Sequence, residues 1–157
     1  MDSMEKKLSP LDKYWNTFLV KTGRDSEDIC SGDMNFESKG FENDAQIALI
    51  LSGRKTAIFS SFPSFSIDSE PLPVSGELYL ILDRGENPRC VIELDSVTIL
   101  PYNEITWEMA KQEGEDASLA EWREKEQEYL EDEGAIMGFS FTPDIKLVFQ
   151  TFHVVYK

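Results

Sequence analysis

Cysteine is scarce. Cys30 and Cys90 are the two in the chain of 157 residues, with no CxxC spacing, so neither a disulfide framework nor a zinc knuckle is expected and both read as reduced thiols. Histidine is scarcer still: His153 stands alone in an apolar stretch with no neighbouring Cys. A Ser-His-Asp relay or a zinc centre would lack partners, so His153 reads as structural. Long apolar runs are missing too. The longest, Ile47 to Leu51, is far short of the roughly 20 residues of a membrane span, and Met1 to Lys7 carries no apolar stretch of the kind that directs secretion. A cytoplasmic protein without membrane contact is the expectation. Positive charge is the last shortage: 15 Lys and Arg face 30 Asp and Glu, a net charge of −15. Such a field repels polyanions, and the tight basic pairs are limited to Lys6-Lys7 and Arg54-Lys55, so duplex DNA is excluded as a partner. Any nucleic-acid contact has to be short and local.

What is present suits one globular domain, with 41% hydrophobic and 11% aromatic residues, enough at this length to form a core. Ser9-Pro10 followed by Leu11, Tyr14, Trp15, Phe18 and Leu19 predicts a capped helix closed by Gly23. Residues 24–40 read as a polar connecting loop, with Phe36 as its anchor. A second helix is expected from about Glu42 to Ser52, apolar around most of its circumference and ended by Gly53. Strands follow over Lys55 to Ser61 and Glu77 to Asp83, separated by Phe62 to Ser75, whose three prolines suggest an ordered loop. Arg89 to Leu100 reads as a long strand with a bulge at Asp95-Ser96. Glu104 to Gln112 suggests a short helix, and Ser118-Leu119-Ala120-Glu121 has capping-box form for another that Gly134 would end. Ile136 to Phe141 and Ile145 to Tyr156 read as terminal strands. Helices and strands mix without the alternation of a doubly wound sheet.

Several strings in this order resemble the ASCH domain over roughly residues 36 to 156. They are Gly53-Arg54-Lys55-Thr56-Ala57 after a helix, Glu70-Pro71-Leu72-Pro73 before Gly76, Leu82-Asp83, Cys90-Val91-Ile92-Glu93, Ala110-Lys111-Gln112-Glu113-Gly114-Glu115, and Ser118-Leu119-Ala120-Glu121-Trp122-Arg123. The resemblance implies an α+β fold, a PUA-like β-barrel of mixed strands with peripheral helices. It also implies a single ASCH domain over residues 1–157, with an N-terminal helical extension over about 1–35. The family is proposed to bind RNA in a cleft lined by its Gly-x-Lys motif, and one branch hydrolyses the acyl group of acetylated cytidine with a Lys, a Thr three residues later and a distant Glu. Lys55 and Glu113 match the Lys and the Glu as catalytic residues, should the chain be an enzyme. Ile58 stands where the Thr would be, and Ser60 where a basic residue is often found.

The expected ligand is therefore RNA or a nucleoside or nucleotide, with or without a modified base, bound by Arg54, Lys55, Thr56, Ser60 and Glu113. No metal and no cofactor is expected. A Lys acts as a base only when burial or positive charge lowers its pKa, and a neighbouring carboxylate works the other way; as a binder a charged Lys55 needs no such shift. Thr56 and Ser60 share a strand face with Ile58, but each is displaced by about 6.6 Å. A nucleophile has to lie within about 3 Å of its base. Acetylcytidine amidohydrolase is thus the alternative to binding, with ribonuclease and a protein-interaction module behind it. Trp122 reads as a core anchor, and the acidic run Glu124 to Glu133 as a solvated helix face.

Overall fold

The computed structural model describes residues 9–34 and 43–157, so Phe36 and the expected start of the second helix at Glu42 lie outside the described residues. Helix α1 spans Pro10–Thr22: the Ser9 hydroxyl accepts the Asp12 backbone N–H, Pro10 opens the first turn, and Gly23, at φ 69°, closes it. Strand β1 is Gly32–Met34 and helix α2 is Asn43–Leu51. Strand β2, Ala57–Ser61, runs directly into the short helix α3, Phe62–Ile67. Strands β3, Leu78–Leu82, and β4, Pro88–Pro101, are joined by a turn that Asp83 organises by accepting the Gly85 and Asn87 N–H groups. Helix α4 is Trp107–Ala110, α5 is Leu119–Met137 and strand β5 is Lys146–Tyr156.

Among the described residues five strands form one mixed sheet in the order β1-β3-β4-β5-β2, curled into a half-barrel with helices around it, an α+β architecture. Long antiparallel pairing of β4 with β5 is its spine, and the register slips between Leu94 and Ser96, at the expected bulge. The alternation of β3 decides which layer lies on each face. Leu78, Leu80 and Leu82 pack with Phe18 and Leu19 of α1, whereas Tyr79 and Ile81 face Ile47 and Ile50 of α2 across Ile92 and Phe152. A third cluster joins Ala57 and Phe59 of β2 to Leu147 and Phe149 of β5, Tyr102, and Trp122 and Leu130 of α5. Phe59 touches both Trp122 and Phe149, with ring centroids 4.9 and 4.7 Å apart.

Six expectations need correction. The stretch 24–40 is not all loop: Gly32–Met34 pairs parallel with β3, and a three-residue edge strand is too short to show a period. Phe62 to Ser75 begins as α3, because Pro63 lies in a first helical turn, where a missing N–H costs nothing. The segment Glu104 to Gln112 divides into two 3-10 turns, Tyr102–Glu104 and Lys111–Glu113, around the single turn of α4. Gly134 does not end α5, which continues to Met137 and is capped by Gly138 at φ 97°. Ile136 to Phe141 is therefore no strand, and Ile136 is 85% exposed. Finally, α2 buries one face, Asn43, Gln46, Ile47 and Ile50, while Ala45 and Ala48 are exposed.

Both cysteines are free, and burial pushes the Cys90 thiol up to about 11 from an ordinary 9.0. The folded state disfavours the thiolate, so this contribution to stability is present below about pH 9 and is lost as the pH rises through about 11. Native protein treated with iodoacetamide at neutral pH is expected to show no adduct on Cys90 by mass spectrometry, and a full adduct once denatured. Rapid native labelling of Cys90 would contradict its burial.

Candidate functional site

The site is built where the end of α2 meets a turn some 60 residues later in the chain. Gly53, at φ 80°, closes α2 with its N–H on Ile50 O at 3.0 Å, and Leu49 O accepts the N–H groups of both Arg54 and Lys55. The chain then straightens: Thr56 donates its N–H to Gln112 O at 2.8 Å and accepts that of Phe152 at 2.9 Å. On the other side, the 3-10 turn Lys111–Glu113 ends at Gly114, whose φ of 87° and close approach both call for glycine. A Cβ there would sit 3.0 Å from the Arg54 carbonyl oxygen. Two backbones thus press together, and the side chains of Lys55 and Glu113 are delivered to the same spot.

The Lys55 Nζ lies 3.8 Å from Glu113 Oε2 and donates to the Glu113 backbone oxygen at 3.4 Å. Both residues are buried, with 2% and 5% of their surface exposed. Glu113 Oε1 accepts the indole N–H of Trp122 at 2.6 Å, a charge-assisted bond that fixes the carboxylate. Two residues beyond Glu113, Glu115 Oε1 accepts from Gln46 at 2.6 Å, and Gln46 is completely buried.

Of the expected site residues, Lys55 and Glu113 meet. Thr56 is half-buried beside them, its hydroxyl 3.5 Å from Gln112 Oε1. Arg54 points outward and is exposed. Ser60 lies on β2 in the wall of a different cavity, of about 770 Å³. Lys55 and Thr56 instead border a smaller depression of about 320 Å³, together with Phe152, His153 and Lys157. Ile58 is 7% exposed and packs with Ile47, Ile50 and Phe152 in the core. Trp122 is the core anchor that its helical spacing suggests, but its N–H also belongs to the site, which spacing does not reveal. Gln46 is equally hidden from sequence reading, because a polar residue in an apolar helix carries no mark of its partner.

His153 is 53% exposed at its side chain, borders the same depression as Lys55, and bonds Asp95 through Nδ1 at 2.7 Å at the surface. Among the described residues no group of three or more His, Cys, Asp or Glu is placed to hold a metal ion, and no helix is long and apolar enough to cross a membrane.

The curled mixed sheet with its flanking helices is a PUA-like architecture. The chain belongs to the ASCH domain family, whose model matches residues 33–156. Among solved structures, the chain is similar to protein EF3133 from Enterococcus faecalis V583, with 32% identity over 94% of this chain and 88% of that one and a TM-score of 0.82. It is also similar to an ASCH domain from Lactobacillus crispatus JV V101, with 26% identity over 98% of this chain and 99% of that one and a TM-score of 0.84. No curated protein matches.

Proposed function

We propose that this ASCH domain binds short single-stranded RNA or a nucleoside, modified in its base or not, and reads a polar edge of the ligand with Lys55 and Glu113. The observation that carries this reading is the convergence of an ammonium and a carboxylate in the interior, from positions 58 residues apart. A buried ion pair is weak evidence for stability, since apolar side chains of like volume often serve the fold as well or better. Its presence calls for another use, and recognition is the one this chemistry suits. The ammonium donates only and the carboxylate accepts only, so together they match an edge that carries both kinds of group. The Trp122 bond and the Gly114 contact hold that arrangement in place beforehand, which lowers the entropy lost on binding.

Hydrolysis is not the reading adopted. The position that would carry a nucleophilic hydroxyl is Ile58, whose side chain offers none, and Ser61 commits its hydroxyl to Glu133 at 2.6 Å while completely buried. The strongly negative surface favours a single nucleoside or a few nucleotides over a long polyanion.

Calorimetric titration with acetylcytidine, common nucleosides and nucleotides, and short RNAs tests the proposal. Lys55→Met keeps the side-chain stem and removes the charge. In variant protein shown to be folded, affinity is expected to fall at least about tenfold. Undiminished binding would remove Lys55 from the site, and release of free cytidine from acetylcytidine would replace binding with amidohydrolysis.

A further inference from the structure

Among the described residues the half-barrel is not closed by hydrogen bonds between its edge strands, and the cavity of about 770 Å³ lies between them, with β1 contributing Asp33 and β2 contributing Ser60. That volume is within the range of small-molecule sites, about 300–1,000 Å³. We propose that this cavity binds a small organic cation, an ammonium or guanidinium group carried on an apolar body. This is a site distinct from the one at Lys55 and does not depend on that reading.

Three observations point the same way. Gln150, in the middle of β5 and opposite Ile58 of β2, lines the cavity, is 3% exposed, and has a side-chain Oε1 with no hydrogen-bond partner. An amide oxygen kept out of water without a donor costs stability, and a donor brought by a ligand accounts for its retention. The charged side chains around the cavity are all carboxylates among the described residues: Asp33 and Glu70 are exposed at its mouth, and Glu77 is half-buried with its Oε1 already accepting from Val74 N–H and the Tyr79 hydroxyl. The walls include the rings of Phe65 and Tyr79, surfaces that attract cations as well as apolar groups.

The chemistry of these groups decides the class of ligand. An anion would meet carboxylates with no countercharge among the described lining residues, inside a protein of net charge −15. A metal ion would need a compact set of ligands, and no such set is present among the described residues. A neutral apolar molecule would leave the Gln150 oxygen without its donor. An ammonium or guanidinium satisfies that oxygen, balances the carboxylates and places its body against the rings.

A charge series on one body tests this: tyramine as the cation, para-ethylphenol as its neutral counterpart and para-hydroxyphenylacetate as the anion, with agmatine as the guanidinium, each titrated calorimetrically into the full chain. Tyramine or agmatine is expected to bind, para-ethylphenol about tenfold more weakly, and the anion weakest. Gln150→Leu, which removes the unpartnered acceptor at similar volume, is expected to melt no lower than wild type and to bind the cation about tenfold more weakly. Glu70→Gln lies at the exposed mouth, where it cannot disturb the core, and is expected to weaken binding about threefold and to flatten its salt dependence. Absence of heat with both cations, equal affinity for the neutral compound, or unchanged cation binding in both variants would each overturn the assignment.

Discussion

Lys55→Met alone is expected to destabilise the protein by about 3–5 kcal/mol, because it leaves the Glu113 carboxylate buried without its ammonium. Met fills most of the volume of the Lys stem, so packing loss is a minor part of that cost. Adding Glu113→Gln should restore most of the stability. The glutamine oxygen still accepts the Trp122 N–H that now reaches Glu113 at 2.6 Å, and neither member of the pair is charged any longer. Urea denaturation of wild type, both single variants and the pair forms a double-mutant cycle, with the midpoint shifted and the slope unchanged. Strictly additive effects would mean that the two groups do not interact, despite their separation of 3.8 Å. The same cycle informs the binding test, since a folded double variant that fails to bind separates recognition from folding.

Gly134→Ala is expected to cost about 3 kcal/mol or more, against the sign that helix propensity gives. Ala in place of Gly within a helix ordinarily stabilises by roughly 1 kcal/mol. At Gly134, however, the added Cβ would lie 2.3 Å from the backbone oxygen of Phe139 and 3.1 Å from its ring. The chain leaving α5 folds back there, with the N–H groups of Gly138 and Phe139 both on Gly134 O. Steric displacement of backbone therefore outweighs propensity. Gly138 is the control: its φ of 97° penalises Ala, but nothing lies within 4 Å of an added Cβ, so a cost of roughly 1 kcal/mol is expected. Thermal melts should rank Gly134→Ala well below Gly138→Ala, and the reverse order would refute the close return of the chain.

These glycines show where sequence reading succeeds and where it stops. Gly23 and Gly53 follow apolar helices and do close them, because a left-handed cap is a local requirement visible in local sequence. Gly134 looks similar in sequence, yet it is needed for a contact that only the returning chain creates. Local signals such as Ser9-Pro10, the cap at Ser118 and the slip at Asp95-Ser96 correspond to observed elements. Strand β1 has no local mark, since its three residues are held by β3 from 47 positions away. The site divides in the same way. The resemblance singles out Lys55 and Glu113, which are in contact, whereas the Trp122 bond to Glu113 and the buried Gln150 amide depend on how distant segments pack, which neither spacing nor composition encodes.

Helix α1 gives the boundary of the family match a physical meaning. Phe18 and Leu19 cover Leu78, Leu80, Leu82 and Val91, although the matched segment begins only at residue 33. A chain trimmed to that segment would present a row of leucines to water on that face of its sheet, a sticky stripe open to self-association. Where a family signature starts is thus a matter of shared sequence; where this protein can be shortened is set by the wet area its first helix keeps dry.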